Sequence, residues 1–79
     1  MDKVLLPKRI KVRNLLKALK KLGFVEIEGT KHHKLKDSRD RIATITRSCD
    51  ELPRSMVNFI LRGEISLSEE EIKSIVDLL

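Results

Sequence analysis

The chain predicts a small α+β domain of order α-β-β-β-α, with a three-stranded antiparallel sheet, helices on one face and an extra short C-terminal helix. Three observations carry that expectation. Apolar residues recur at helical spacing toward both ends, the middle alternates at period two, and glycine, proline and polar turn residues fall at the joints. At 79 residues and 41% hydrophobic, one core is expected over 1–79, with no second domain.

In the first helix, expected over 9–22, Val12, Leu15, Leu16, Leu19 and Leu22 form one stripe with Arg and Lys between them. Pro7 stands where a helix can start, and Gly23 follows the last apolar residue, where a left-handed cap belongs. Phe24 to Glu28 alternates, Val25 and Ile27 to one side, Glu26 and Glu28 to the other. Gly29-Thr30 breaks the pattern. A second strand over 31–36 places Leu35 inward and Lys34 and Lys36 outward. "DSRD" at 37–40 is a turn, and Arg41 to Thr46, rich in Ile and Thr, is the third strand. The sheet should have one greasy and one charged face.

After a loop at 47–52, Pro53 opens a helix striped by Met56, Val57, Ile60 and Leu61 and ended by Gly63. Ser68-x-x-Glu71 is a capping box with Leu67 and Ile72 as its staple. Ile72, Ile75, Val76 and Leu79 are then the buried side of the last helix, and Phe24 and Phe59 read as core. The same element order occurs in double-stranded-RNA-binding domains, which bears on fold rather than on function.

Charge is unevenly placed. The total is 17 Lys+Arg against 12 Asp+Glu, net +5. Residues 1–21 and 31–41 are basic, whereas the C-terminal third carries Glu64, Glu69, Glu70, Glu71 and Asp77. If the basic segments lie together, one side of the fold attracts phosphates over about a Debye length. Cys49 is the only cysteine, so no disulfide framework exists, and no stretch is apolar and long enough to cross a membrane. A cytoplasmic protein without membrane partners is expected. Cys49 reads as a bystander thiol. Aromatic residues make up 3%, with no Trp or Tyr, so base-stacking platforms of the single-strand binders are not expected.

"GTKHHKLK" (29–36) holds both histidines. Neighbours on a strand point to opposite faces, and no Cys or third His is near in sequence, so a metal site is not expected. His33 shares parity with Leu35 and should lean to the core with one hydrogen bond. His32 shares parity with Lys34 and Lys36 and should stand on the open cationic face. An imidazole exchanges a proton near neutral pH. RNA is a polyanion with its own nucleophile: once the 2′-hydroxyl is deprotonated, it attacks the adjacent phosphodiester without metal. Lys31, Lys34, Lys36 and Arg41 are candidates to hold the backbone and offset charge developing on phosphate.

The runs "LLKALKKLGF", "GTKHHKLK" and "TRSCDELPRSMVNFILRGEIS" resemble the HicA (YcfA-like) family of toxin ribonucleases, in order and at matching spacing over about 10–72. Family members typically read L-x-x-x-G-(F/V), then G-(S/T)-x-H or G-S-H before a strand, then a loop leading to a helix that ends "ILRQ-G-(I/L)-S". The resemblance implies a fold similar to double-stranded-RNA-binding domains. It also implies mRNA interferase activity without a cofactor, and a HicB-like antitoxin covering the active site. Gly29-Thr30 stands where the family has Gly-Ser, and His32 where one branch has its catalytic histidine. Another branch sets the histidine one place earlier, at Lys31 here, which leaves His32 as the first candidate and His33 as the second. Arg47-Ser48 stands where the family loop has His-Pro, so no further histidine comes from it.

The expectation is therefore the toxin of a toxin–antitoxin pair, an endoribonuclease acting on mRNA through His32. A non-catalytic RNA-binding domain of the same fold is the alternative, and a basic face that only docks an acidic protein is a third.

Overall fold

The computed structural model describes residues 4–27, 32–46 and 49–79. The expected Gly29-Thr30 turn, Glu28, Lys31 and the Arg47-Ser48 position lie outside the described residues.

The fold is α+β. In chain order the described elements are β1 (Arg9–Lys11), α1 (Val12–Leu22), β2 (Val25–Ile27), β3 (His32–Lys36), β4 (Ile42–Thr46) and β5 (Glu51–Pro53). There follow α2 (Arg54–Asn58), which runs directly into a π-type stretch (Phe59–Glu64), and α3 (Glu69–Leu78). Strands β2-β3-β4 form the expected antiparallel meander. Helix α1 ends as its sequence requires. Gly23 takes φ 116°, its N–H donates to the Lys20 carbonyl at 3.1 Å, and the next N–H, of Phe24, donates to Leu19 at 3.0 Å. That pair of bonds is the Schellman arrangement.

Four features depart from the sequence reading. Residues 9–11 are not the first turn of α1 but a short strand paired antiparallel with β5, Ile10 opposite Leu52. The Val12 N–H donates to the Asp50 carbonyl (2.9 Å) and the Arg54 N–H to Lys8 (3.0 Å), so this ladder fixes where α1 begins and leaves Pro7 ahead of it. Second, Gly63 does not end its helix. The chain widens into the π-type stretch through Gly63, and the Ile65 N–H reaches back five residues to Ile60 at 3.1 Å. Third, Phe59 is 60% and Met56 47% exposed, whereas Val57, Ile60 and Leu61 are buried as expected. The wider turn brings the Phe59 ring over Gly63, where a Cβ would meet its Cδ2 at 3.4 Å, rather than into the core.

The fourth departure concerns the sheet faces. Val25 (65% exposed) and Ile27 lie on the open face, in register with Lys36 and Lys34, while Glu26 pairs with Leu35 on the helix side. An ion pair with Lys20 and a hydrogen bond with His33 satisfy the carboxylate of Glu26 there, so the alternation can settle with a charge on the inner side. The open face is therefore a mixture of apolar and cationic side chains, with Ile42 also exposed.

One core joins the layers. Leu15, Leu19, Phe24, Leu35, Ala43, Ile45, Leu61 and Ile72 are all at most 2% exposed within it. The last helix is part of that core: α3 packs against α1, while the π-type stretch flanks β4. Its capping box is complete, with the Glu71 N–H donating to Ser68 Oγ at 3.2 Å and the Ser68 N–H to Glu71 Oε1 at 3.0 Å. Among the described residues no helix is long and apolar enough to cross a membrane.

Candidate nucleic-acid interface

Strand β3 separates the two histidines. His32 lies opposite Thr46 and is exposed, whereas His33 lies opposite Ile45, half-buried on the helix side. The Nδ1 of His33 is 2.9 Å from Glu26 Oε2, and the other carboxylate oxygen of Glu26 is 3.2 Å from Lys20 Nζ. The hydrogen bond from His33, then that from Lys20, holds the Glu26 carboxyl below its ordinary range. Among the described residues no group of three or more His, Cys, Asp or Glu side chains converges to hold a metal ion.

On the open face His32, Lys34 and Lys36 follow one another at every second residue, so all three project the same way. Lys36 Nζ is 3.0 Å from Asp40 Oδ1, a solvated pair made possible by the 37–40 turn, in which Asp40 takes φ 64°. Lys31 lies outside the described residues.

Arg41 is not brought to this face. It has the parity of Ala43 and Ile45, and its guanidinium lies 2.6 Å from Asp37 Oδ2, 3.1 Å from Glu71 Oε2 and 5.8 Å from the centroid of the buried Phe24 ring. Hydrogen bonds to Glu71 and then Asp37 raise its affinity for its proton further. The same contact with Arg41, aided by the Ser68 N–H, holds the Glu71 carboxyl low. Burial pushes the Asp37 carboxyl up, but hydrogen bonds from Arg41 and from the Arg39 N–H outweigh it and leave it lowered. Arg41 thus clamps the β3–β4 turn to α3 and does not share the open face with His32, Lys34 and Lys36.

Two grooves flank the histidines. His32 borders a groove between the sheet and the second helical segment. Thr44 and Thr46 continue its sheet wall, Met56, Ile60 and Glu64 form its helical wall, and Leu52 also lines it. His33 borders the other groove, between the start of α1 and the segment before β5, where Lys11 and Arg13 oppose Asp50 and Glu51 and where the exposed Cys49 sits. Among the described residues cations and carboxylates balance there, so their charge favours an anion less than that of the His32 face does.

No family model matches the chain, and no curated protein matches it. The likeness to HicA toxins therefore rests on the motifs in the sequence.

The sequence reading missed Thr44, Thr46, Met56 and Glu64 as neighbours of His32, and Glu26 as the partner of His33. A signal existed for the threonines, whose parity opposes that of Ala43 and Ile45. None existed for Met56 and Glu64, whose approach depends on how the helical segment docks along β4.

Proposed function

We propose that this protein is a metal-independent endoribonuclease acting on mRNA, a toxin of the HicA kind, held in check in the cytoplasm by a HicB-like antitoxin. One observation supports the reading above others: an exposed imidazole, His32, stands in line with Lys34 and Lys36 on an open face, at the border of a groove. RNA laid along the strand would meet cations at its phosphates and a proton acceptor at a 2′-hydroxyl.

The reaction uses groups of the right chemistry. A neutral His32 ring takes the 2′-OH proton, O2′ bonds to phosphorus, and the P–O5′ bond breaks. The leaving O5′ takes a proton from the imidazolium or from water. The products are a 2′,3′-cyclic phosphate and a 5′-hydroxyl. Lys34 and Lys36 offset the charge that builds on the phosphoryl oxygens.

The test is cleavage of single-stranded RNA by purified protein in EDTA. Wild type gives cyclic-phosphate ends, and His32→Ala loses cleavage at least a hundredfold while retaining fold and RNA affinity. RNA bound but uncut over hours would leave the non-catalytic binder of the same fold.

A second reading follows from a specific contact. The Glu26 carboxylate orients the His33 ring, the arrangement by which a base is aimed in many hydrolytic sites. In that case proton transfer belongs to His33, in the groove with Lys11 and Arg13.

A further inference from the structure

The groove beside His32 has chemistry that its place on a cationic face does not require. Its walls contribute apolar surface from Leu52, Met56 and Ile60, with Met56 47% exposed. Its polar groups are few: the hydroxyls of Thr44 and Thr46, the His32 ring and the Glu64 carboxylate. Glu64 is exposed, and among the described residues it has no ion pair or hydrogen bond, whereas Glu26, Glu69 and Glu71 are all engaged by cations. A carboxylate in a site meant only for phosphate works against binding. An uncompensated one at the far wall of an apolar slot suits hydrogen-bond donors on a flat, otherwise apolar ligand.

We infer that this groove is a nucleobase pocket that selects guanine, with Glu64 as the group that reads it. The inference rests on RNA being the substrate of the His32 face. An ionised carboxylate only accepts hydrogen bonds, through two oxygens side by side. Guanine alone among the four RNA bases presents two adjacent donors on its Watson–Crick edge, N1–H and the N2 amino group, and they match those oxygens. Adenine and cytosine set one amino donor beside a ring acceptor that faces the carboxylate unfavourably, and uracil flanks its single N–H with two carbonyls. Met56 and Ile60 supply apolar contact for the face of the base, where a polarisable thioether adapts to a flat ring. The Thr44 hydroxyl is a donor for the acceptors on guanine's far side. Selection by a carboxylate disfavours the wrong base, because its acceptors meet lone pairs.

The experiment uses the full chain and four short single-stranded RNAs, oligouridylates in which one internal position is G, A, C or U. Cleavage next to guanosine should be at least tenfold faster than at the other three. Glu64→Gln, checked for native circular dichroism, should bring the four rates within about threefold of one another. Equal rates in wild type, or a preference for guanosine that survives Glu64→Gln, overturns the pocket. If wild type cuts none of them, the ribonuclease reading falls and the pocket is read separately by binding. Titration with 5′-GMP should then shift the Met56 methyl resonance, assigned through Met56→Leu, more than equal 5′-AMP, 5′-CMP or 5′-UMP, and Glu64→Gln should abolish the difference. Equal or absent shifts overturn it.

Discussion

His33 and Glu26 form a carboxylate–imidazole pair across neighbouring strands, Nδ1 to Oε2 at 2.9 Å, on the face of the sheet opposite His32. The two histidines, adjacent in sequence, thus enter different chemistry: one is held by a carboxylate and a groove of balanced charge, the other stands among lysines.

That division predicts a separable pair of mutants. Under the His32 mechanism, His32→Ala removes RNA cleavage, while Glu26→Gln and His33→Gln leave the rate within about threefold and cost only about 1 kcal/mol of stability each, the worth of a part-exposed hydrogen bond. Rates and urea midpoints of the three variants decide it. Should Glu26→Gln and His33→Gln lower cleavage a hundredfold at unchanged midpoint, the base is His33.

Lys34 and Lys36 should act on RNA through charge. Each lysine that contacts a phosphate contributes roughly 0.7 to the slope of log affinity against log salt for single strands. Replacing both by Ala should weaken binding at low salt and flatten that slope by about 1.4. An unchanged slope would remove the sheet face from the interface.

The Arg41 clamp predicts acid sensitivity. Glu71 and Asp37 have carboxyls lowered in the fold by Arg41. Their contribution is therefore complete above the unfolded carboxyl range, near pH 4, and is lost as pH falls through the folded values. Arg41→Met should destabilise by about 1–3 kcal/mol at pH 7, since both carboxylates are left part-buried without their partner. It should also flatten the loss of stability below about pH 4. RNA affinity should not change, because the guanidinium is already occupied.

The two phenylalanines should behave oppositely. Phe24 is 2% exposed, and Phe24→Ala should cost about 3–5 kcal/mol, enough to unfold much of the protein. Phe59 is 60% exposed, and Phe59→Ala should cost less than about 1 kcal/mol by thermal melting. A large loss at Phe59 would mean that its ring supports the π-type stretch more than its exposure suggests.

Local chemistry made much of the architecture legible. Gly23, the Ser68–Glu71 box and the "DSRD" turn each depend on residues close in sequence, and each lies where those residues put it. The parity of the histidines followed from Leu35 alone. What was not legible depends on contacts between distant segments. The β1–β5 ladder needs Ile10 to find Leu52, a pairing that three-residue strands do not announce. The alternation puts Val25 and Ile27 on one side and Glu26 on the other, and from it a sheet with one greasy and one charged face is expected. The register of Val25 and Ile27 against Lys36 and Lys34 follows from a partner strand and from the contacts of Glu26 with Lys20 and His33. Arg41 resembled the other cations until α3 supplied Glu71. At the candidate site, His32 and its lysines came from one short strand, but Glu64 is 32 residues further along.

The His32 groove has a consequence for the order in which the molecule comes into being. Its imidazole, like Lys34 and Lys36 on the same strand, belongs to the first half of the chain, but Thr44, Thr46, Leu52, Met56, Ile60 and Glu64 complete it from the second. A ribosome making this protein releases the histidine well before the opposite wall. A nascent chain, or one truncated short of residue 64, carries the cations and the imidazole with no complete groove for the imidazole to border. On the toxin reading, the protein cannot act on the message from which it is being translated until the codon for Glu64 has been read.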